Sequence, residues 1–297
     1  MKIIITGSKG QLGTQLQKIL ANGYSEIGEI PSELKGSAVV PIDIDELDIT
    51  DKAAVEAFIE KEKPDVVINC AAMTNVDACQ TQFEIAMKVN AIGPRNLAIA
   101  CEKIGAKIIH ISTDYVFGGT GTVPYREWDI CNPQSVYGAS KYLGEQYVRE
   151  FSTKFFIVRT SWLYGYIGKN FVKTMIKLGR SHDTIKVVND QRGNPTNAED
   201  LAHHLLKLAV TKEYGMYHCT GEGECTWYDF ACKIMQEFNV DCKVEPCTSD
   251  EFPSPTKRPE FSSLDNLMLK CTVGNEMRNW EEALKIYAKN FDESELN

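Results

Sequence analysis

Three side chains carry the chemistry this sequence could do. Thr113 follows an isoleucine-rich run, residues 106–112, that reads as a strand. Tyr137 and Lys141 follow in Tyr137-Gly138-Ala139-Ser140-Lys141, which reads as the start of a helix. Residues four apart share a helix face, so phenol and ammonium are neighbours. A free phenol titrates near ~10, and work near neutral pH needs a drop of about three units, roughly 4 kcal/mol. An ammonium ~4 Å away supplies roughly 1 kcal/mol in bulk water and roughly 4 kcal/mol in a partly dry site. The pair therefore acts as a general acid only if a fold covers it. Beside a nicotinamide, the hydroxyl would orient a carbonyl oxygen and the phenol would protonate it as hydride reaches the carbon. The ammonium would lower the phenol pKa and hold the nicotinamide ribose. The same Tyr-x-x-x-Lys spacing occurs on many surface helices, so the surrounding elements must decide.

Those elements read as strand and helix in alternation. Ile3-Ile4-Ile5 is a buried strand, followed by Gly7, Gly10 and Gly13 and then by Leu12, Leu16, Ile19 and Leu20 at helical spacing. Strand, glycine turn and helix make half of a βαβ unit, with the helix amino end free to face a pyrophosphate. The spacing is Gly-x-x-Gly-x-x-Gly, not Gly-x-Gly-x-x-Gly. Residues 22–36 read as a surface excursion. Residues 38–43 form a second strand, marked as an edge by Pro41. Asp43 at its end suits an adenosine ribose hydroxyl; Asp45 and Asp48 compete for that role, and a solvated acidic loop is the alternative. No arginine stands nearby for a 2′-phosphate.

A helix over 51–62, capped by Asp51 or Thr50, leads to a third strand at 64–72. A long helix at 83–103 should kink at Gly93-Pro94. A helix over 139–151 and a strand over 155–160 complete the alternation. The fold expected is a Rossmann-type, doubly wound parallel α/β sheet. Gly7 to Gly13, Ala71 to Thr74 and Thr113-Asp114 all fall at strand carboxyl ends, where such sheets bind ligands. In the last third, helices at 170–178, 197–210, 227–238 and 280–291 surround a strand at 215–220 and a proline-rich loop at 252–259. We expect a dinucleotide domain over 1–168, completed by about 190–220. A smaller mixed α/β substrate subdomain would take 221–297 with about 169–189. Residues 293–297 read as a frayed acidic tail.

With 297 residues, 43% hydrophobic and 25% charged, the composition is that of an ordinary globular protein. The net charge of −9 argues against nucleic acid or an anionic membrane as partner. Ten cysteines include no Cys-x-x-Cys, and the histidines at 110, 182, 203, 204 and 218 show no zinc spacing. No secretory signal or membrane span is visible, so a reduced cytoplasmic protein with mostly buried thiols is expected.

Gly7-x-x-Gly10-x-x-Gly13, Thr113 and Tyr137-x-x-x-Lys141 resemble the extended short-chain dehydrogenase/reductases. Ser112-Thr113-Asp114-Tyr115-Val116-Phe117 is similar, more narrowly, to the dTDP-4-dehydrorhamnose reductases. So are Asn69-Cys70-Ala71-Ala72 with Thr74 and Val76-Asp77, Arg159 to Gly165, Asn170-Phe171-Val172, Asp190-Gln191 with Gly193 and Pro195-Thr196, and Arg258-Pro259. The resemblance spans nearly the whole chain. It implies reduction of the 4-keto group of dTDP-4-dehydro-L-rhamnose by NADPH or NADH, giving dTDP-L-rhamnose for cell-surface polysaccharide. It makes Thr113, Tyr137 and Lys141 the catalytic three. It places Gly10-Gln11-Leu12, Asp48-Ile49 and Ala72-Met73-Thr74 along the cofactor, and Thr113-Asp114 and Trp162 on the sugar nucleotide. Arg258 would meet the diphosphate or the nucleotide, since a guanidinium suits phosphate oxygens. Trp162 as core, Asp114 as a backbone partner and Arg258 as a surface charge are the plainer alternatives. Asn90 resembles an asparagine that shapes backbone in these reductases, with helix capping as its alternative. Asp190 and Gln191 read as loop organisers.

Two departures stand out. Met73 replaces the usual histidine, and Gln15 replaces a glutamate that bridges a magnesium-linked dimer in some members. No metal is expected, and a homodimer is left open. Tyr115 stands where a 4,6-dehydratase carries glutamate, which disfavours dehydration. A sugar-nucleotide epimerase, or a non-catalytic subunit resembling the regulator of methionine adenosyltransferase, remain the rival readings.

Overall fold

Apolar runs without polar alternation, such as Val66-Val67-Ile68 and Phe156-Ile157-Val158, must be covered on both faces, which a parallel sheet flanked by helices achieves. The computed structural model describes residues 1–251 and 254–296. Phe252 and Pro253 of the proline-rich loop and Asn297 of the tail lie outside the described residues. The longer strands are β1 (Lys2–Thr6), β2 (Ala38–Ile42), β3 (Val66–Asn69), β4 (Lys107–Thr113), β5 (Phe155–Thr160), β6 (Thr184–Val188), β7 (Gly215–His218) and β8 (Lys243–Cys247). Six of them form one parallel sheet in the order β7-β5-β4-β3-β1-β2. The chain leaves β1 outward to β2 and then crosses back to β3, so the strand order reverses between β1 and β3. Ligands of open α/β sheets bind at such a reversal. Pro41 lies in the edge strand β2, where its missing N–H can face away from the ladder.

Helices cover both faces. On one, α1 (Gln11–Asn22) and α6 (Ala198–Ala209) bury Leu16, Ile19, Leu201 and Leu205 against the sheet. On the other, α2 (Lys52–Glu62), α3 (Gly93–Ile104) and α4 (Val136–Phe151) bury Val55, Ile59, Leu97 and Val148. A separate apolar cluster joins α5 (Phe171–Ser181), α7 (Trp227–Glu237) and α8 (Trp280–Asn290) through Ile176, Phe230, Ile234 and Tyr287. Among the described residues, β6 and β8 pair only with each other, in parallel.

Several sequence expectations need correction. The helix at 83–103 is broken by a π turn, Lys88–Ile92, between a short helix Phe83–Met87 and α3. Pro94 has no N–H for the Asn90 carbonyl and its ring crowds that carbonyl outward. α4 begins at Val136, earlier than expected, because Ser135 caps it by accepting the Gly138 N–H at 3.1 Å. β3 stops at Asn69, short of the alanines. The 22–36 stretch is no mere excursion: it buries Ile30 and Leu34 in the main core. The tail through Leu296 is a 3₁₀ turn, held by Arg180 to Glu293 at 2.7 Å and by a buried Leu296. Of the ten free cysteines, five are buried and Cys271 is exposed. No helix among the described residues is long and apolar enough to cross a membrane.

A buried charged network ties these pieces together. Gln15 on α1 donates to Glu199 on α6 at 2.6 Å. Arg278 reaches Asp200 at 3.0 Å and Glu26 at 2.9 Å. Burial, and then the nearby Glu26 charge, push the Glu199 carboxyl up to about 7 from 4.5. A carboxyl with a raised folded-state pKa stabilises the fold when protonated. That contribution is complete below pH 4.5 and is lost as pH rises through about 7, an effect of roughly 3 kcal/mol for this displacement. Glu199→Gln should therefore melt above the parent at pH 8 and level with it at pH 4; calorimetry at both pH values checks this, and a constant difference contradicts it.

Candidate active site

The glycine turn makes the close approach that the switch point needs. Gly7 has φ +62°, a left-handed conformation that favours glycine, and a Cβ there would sit 2.8 Å from the Ala71 nitrogen. A Cβ on Gly13 would sit 2.3 Å from the Gly7 carbonyl oxygen. Gly10 is the amino cap of α1, so the first-turn amides of Gln11, Leu12 and Gly13 open on the cleft as an anion site. The cleft has a volume of about 800 Å³ and runs across the carboxyl ends of β1, β3 and β4.

Asp43, Asp48, Ile49, Ala72 and Thr74 line this cleft. The Asp43 carboxylate accepts the N–H groups of Lys9 at 3.0 Å and of Ile44 at 2.9 Å. Asp48 accepts the Thr50 N–H at 2.9 Å. Asp45 stands off the wall and pairs with Lys9 at 2.7 Å. Lys9 puts a cation at this end of the cleft, where the sequence shows no arginine. Met73 is absent from the wall. It is held instead through its backbone, donating to Asn90 Oδ1 at 2.8 Å and accepting from Asn90 Nδ2 at 3.0 Å. Asn90 also donates to Ser140 on α4 at 3.0 Å, so it shapes backbone and does not cap a helix.

Thr113, Tyr137 and Lys141 all line the cleft, and the Thr113 hydroxyl meets the Tyr137 phenol. Thr113 donates to Asp114 Oδ1 at 2.9 Å and accepts the Tyr115 N–H at 3.2 Å. Burial pushes the Tyr137 phenol up, and the Thr113 hydroxyl, as a hydrogen-bond partner, pulls it partly back. Burial lowers Lys141 to about 8 against the opposing Glu145 charge. Its amine donates to the Ile111 carbonyl at 2.6 Å. The expectation that the ammonium makes this phenol acidic is corrected here: the amine turns to backbone, and burial dominates. A phenol held neutral is nonetheless the form that can give up a proton. Burial also raises Asp114, to about 6.

Trp162, at φ +47°, stacks on Trp227 with ring centroids 3.5 Å apart and 6° between planes, and both line the cleft. Gly193 lies flat behind Trp162, where a Cβ would come within 2.7 Å of the indole. Trp227 read in the sequence only as the start of an amphipathic helix, since nothing local distinguishes a cleft-facing tryptophan from a core one. Arg258 falls outside the main cleft, in a side pocket of about 160 Å³. It contacts the Tyr115 hydroxyl at 3.2 Å and Asp77 at 3.3 Å. Tyr115 walls both spaces and meets Tyr137 edge-on at 5.5 Å. Asp190 accepts from the Ser249 backbone and hydroxyl, both at 2.7 Å, which is loop organisation. Among the described residues, no group of three His, Cys, Asp or Glu is placed to hold a metal ion.

The side-chain-free cradle at Gly7 and Gly13, the helix terminus and the carboxylates beyond β2 together fit a dinucleotide. Sheet, cradle and Tyr–Lys helix define the class: an NAD(P)H-dependent oxidoreductase of the short-chain dehydrogenase/reductase fold. The chain belongs to the family described as RmlD substrate binding domain, whose model matches residues 1–293. A dTDP-4-dehydrorhamnose reductase of Aggregatibacter actinomycetemcomitans is 40% identical over 96% of this chain and 97% of its own. The crystal structure of a dTDP-4-dehydrorhamnose reductase from Clostridium acetobutylicum is 51% identical, with TM-score 0.92 over 97% of this chain and 99% of that one. That of the Bacillus anthracis Ames enzyme, in complex with NADP, is 43% identical with TM-score 0.89, over 96% and 98% of the two chains.

Gly13→Ala should cost at least about tenfold in NADH affinity, because the Cβ must displace the Gly7 carbonyl. Fluorescence titration of NADH reads this; parental affinity would mean the turn does not hold the dinucleotide.

Proposed function

We propose that the protein reduces the 4-keto group of dTDP-4-dehydro-L-rhamnose to give dTDP-L-rhamnose, with NADH or NADPH as the reductant. The observation that carries this reading is the meeting of Thr113, Tyr137 and Lys141 in one cleft with the glycine cradle. The names of the relatives at 40–51% identity support the choice of substrate.

The nicotinamide, when bound, supplies hydride to the sugar carbon. Thr113 orients the keto oxygen by hydrogen bonding. Tyr137 gives its phenolic proton to that oxygen as charge develops on it. Lys141, protonated below about 8, stabilises the phenolate left behind. Gly10, Gln11 and Leu12 hold the pyrophosphate, Asp43 the adenosine ribose, and Asp48, Ile49, Ala72 and Thr74 the cofactor walls. Met73 contributes backbone only. Asp114 and the Trp162–Trp227 stack face the sugar nucleotide, and Arg258 reaches its diphosphate from the side pocket. The cluster around Phe230 and Tyr287 serves as the substrate-side subdomain in this division of the chain. Ten free thiols suit a reduced, cytoplasmic setting.

Tyr137→Phe should lower kcat by about 10²–10⁴ while NADH affinity stays near parental, since only the proton donor is removed. Steady-state kinetics with dTDP-4-dehydro-L-rhamnose and a binding titration test this, and unimpaired turnover removes Tyr137 from the mechanism. Lys141→Ala should lower both rate and cofactor affinity; an effect on neither leaves it a structural lysine.

A further inference from the structure

The ribose end of the cleft holds a charge arrangement that proton transfer does not use. Lys9 lies inside the glycine turn, and its backbone N–H is fixed to the Asp43 carboxylate at 3.0 Å. Its side chain runs out beside Asp43, and both residues line the cleft. The ammonium is held 2.7 Å from Asp45 and 3.6 Å from Glu46, two carboxylates that stand outside the wall. The carboxylate at the end of the second strand is where the adenosine ribose of a dinucleotide is recognised. A 2′-hydroxyl there can donate to Asp43. A 2′-phosphate brings roughly two negative charges into a region of three carboxylates, where the Lys9 ammonium is already compensated.

We propose that the Lys9–Asp45–Glu46 ion-pair set decides the choice between NADH and NADPH, with Asp45 and Glu46 holding Lys9 back from a 2′-phosphate so that NADH is favoured. The arrangement is exchangeable by construction. Lys9 and Asp45 are well exposed, at 59% and 75%, and exposed pairs are worth only about 0–1 kcal/mol. A phosphate dianion is a stronger partner for an ammonium than one exposed carboxylate. Glu46 also accepts the Asp43 N–H at 2.8 Å, a bond that the amide oxygen of a Glu46→Gln variant can keep, so Lys9, freed of its carboxylates, would turn to the phosphate while the Asp43 backbone stays held. Because all three charges face solvent, added salt should weaken the discrimination.

The test is a fluorescence titration of NADH and of NADPH against the full chain, with no sugar present. Its outcome therefore stands apart from the substrate assignment above. The readout is the ratio of the two dissociation constants, which cancels any general loss of fold or of dinucleotide affinity. The parent should bind NADH more tightly than NADPH. The double variant Asp45→Asn/Glu46→Gln should shift the ratio towards NADPH by about tenfold, and Lys9→Ala should shift it further towards NADH. A parent that prefers NADPH, or a ratio that stays in place in the double variant, overturns the proposal.

Discussion

Lys141 is almost wholly buried, its amine faces a backbone carbonyl, and among the described residues no carboxylate pairs with it. Glu145, one turn further along the same helix, is committed to Arg159 through two hydrogen bonds, at 2.8 and 2.7 Å. Burying an ammonium without a counter-charge is costly, and the depressed pKa of Lys141 expresses that cost. Burial acts on Tyr137 in the opposite sense and keeps its phenol neutral. The resting pair thus consists of a proton donor and a cation that lacks an anion. Once the phenol gives up its proton, the missing anion appears one helical turn from the amine, on the wall of the same cleft. An interaction that arises only as the reaction proceeds is the kind that lowers a barrier. The sequence placed these two groups together, but their electrostatics depend on the cover, which a four-residue spacing cannot describe.

The backbone around the pair is set by a defect in a helix. Gly93-Pro94 forces the π turn that precedes α3, and the turn carries Asn90. From there the Asn90 amide grips Met73, in the loop after β3, and Ser140, one residue before Lys141. Gly144 completes the arrangement, since a Cβ there would lie 2.3 Å from the Asn90 carbonyl oxygen. One asparagine thereby couples the cofactor-side loop to the catalytic helix. Across the sheet, the Gln15–Glu199 and Arg278–Asp200 contacts couple the cradle helix α1 to α6 and to the segment before α8.

The central sheet was legible because its strands are continuous apolar runs and its turns are marked by glycine. The Gly7–Gly13 cradle, the edge position of β2 and the convergence of Thr113, Tyr137 and Lys141 all followed from local pattern and strand ends. What stayed hidden depends on distant partners. β6 and β8 mix Lys, Thr and Glu with Val instead of forming continuous apolar runs, and each is completed by the other across about sixty residues of chain. Trp227 faces the cleft because Trp162, in a left-handed conformation, lies against it. Arg258 falls to the side because Asp77 and Tyr115 draw it there. Lys9 matters through its carboxylate neighbours, which a search for arginine passes over.

The central claim is that Tyr137 protonates an oxygen while the nicotinamide reduces the attached carbon. The most direct measurement follows NADH deuterated at the transferable C4 position with the 4-keto nucleotide sugar, counting cofactor oxidised and locating the label in the product. The account predicts one NADH consumed per sugar and one deuterium on the former keto carbon. Conversion of the sugar without net NADH oxidation, or a product free of label, would contradict it.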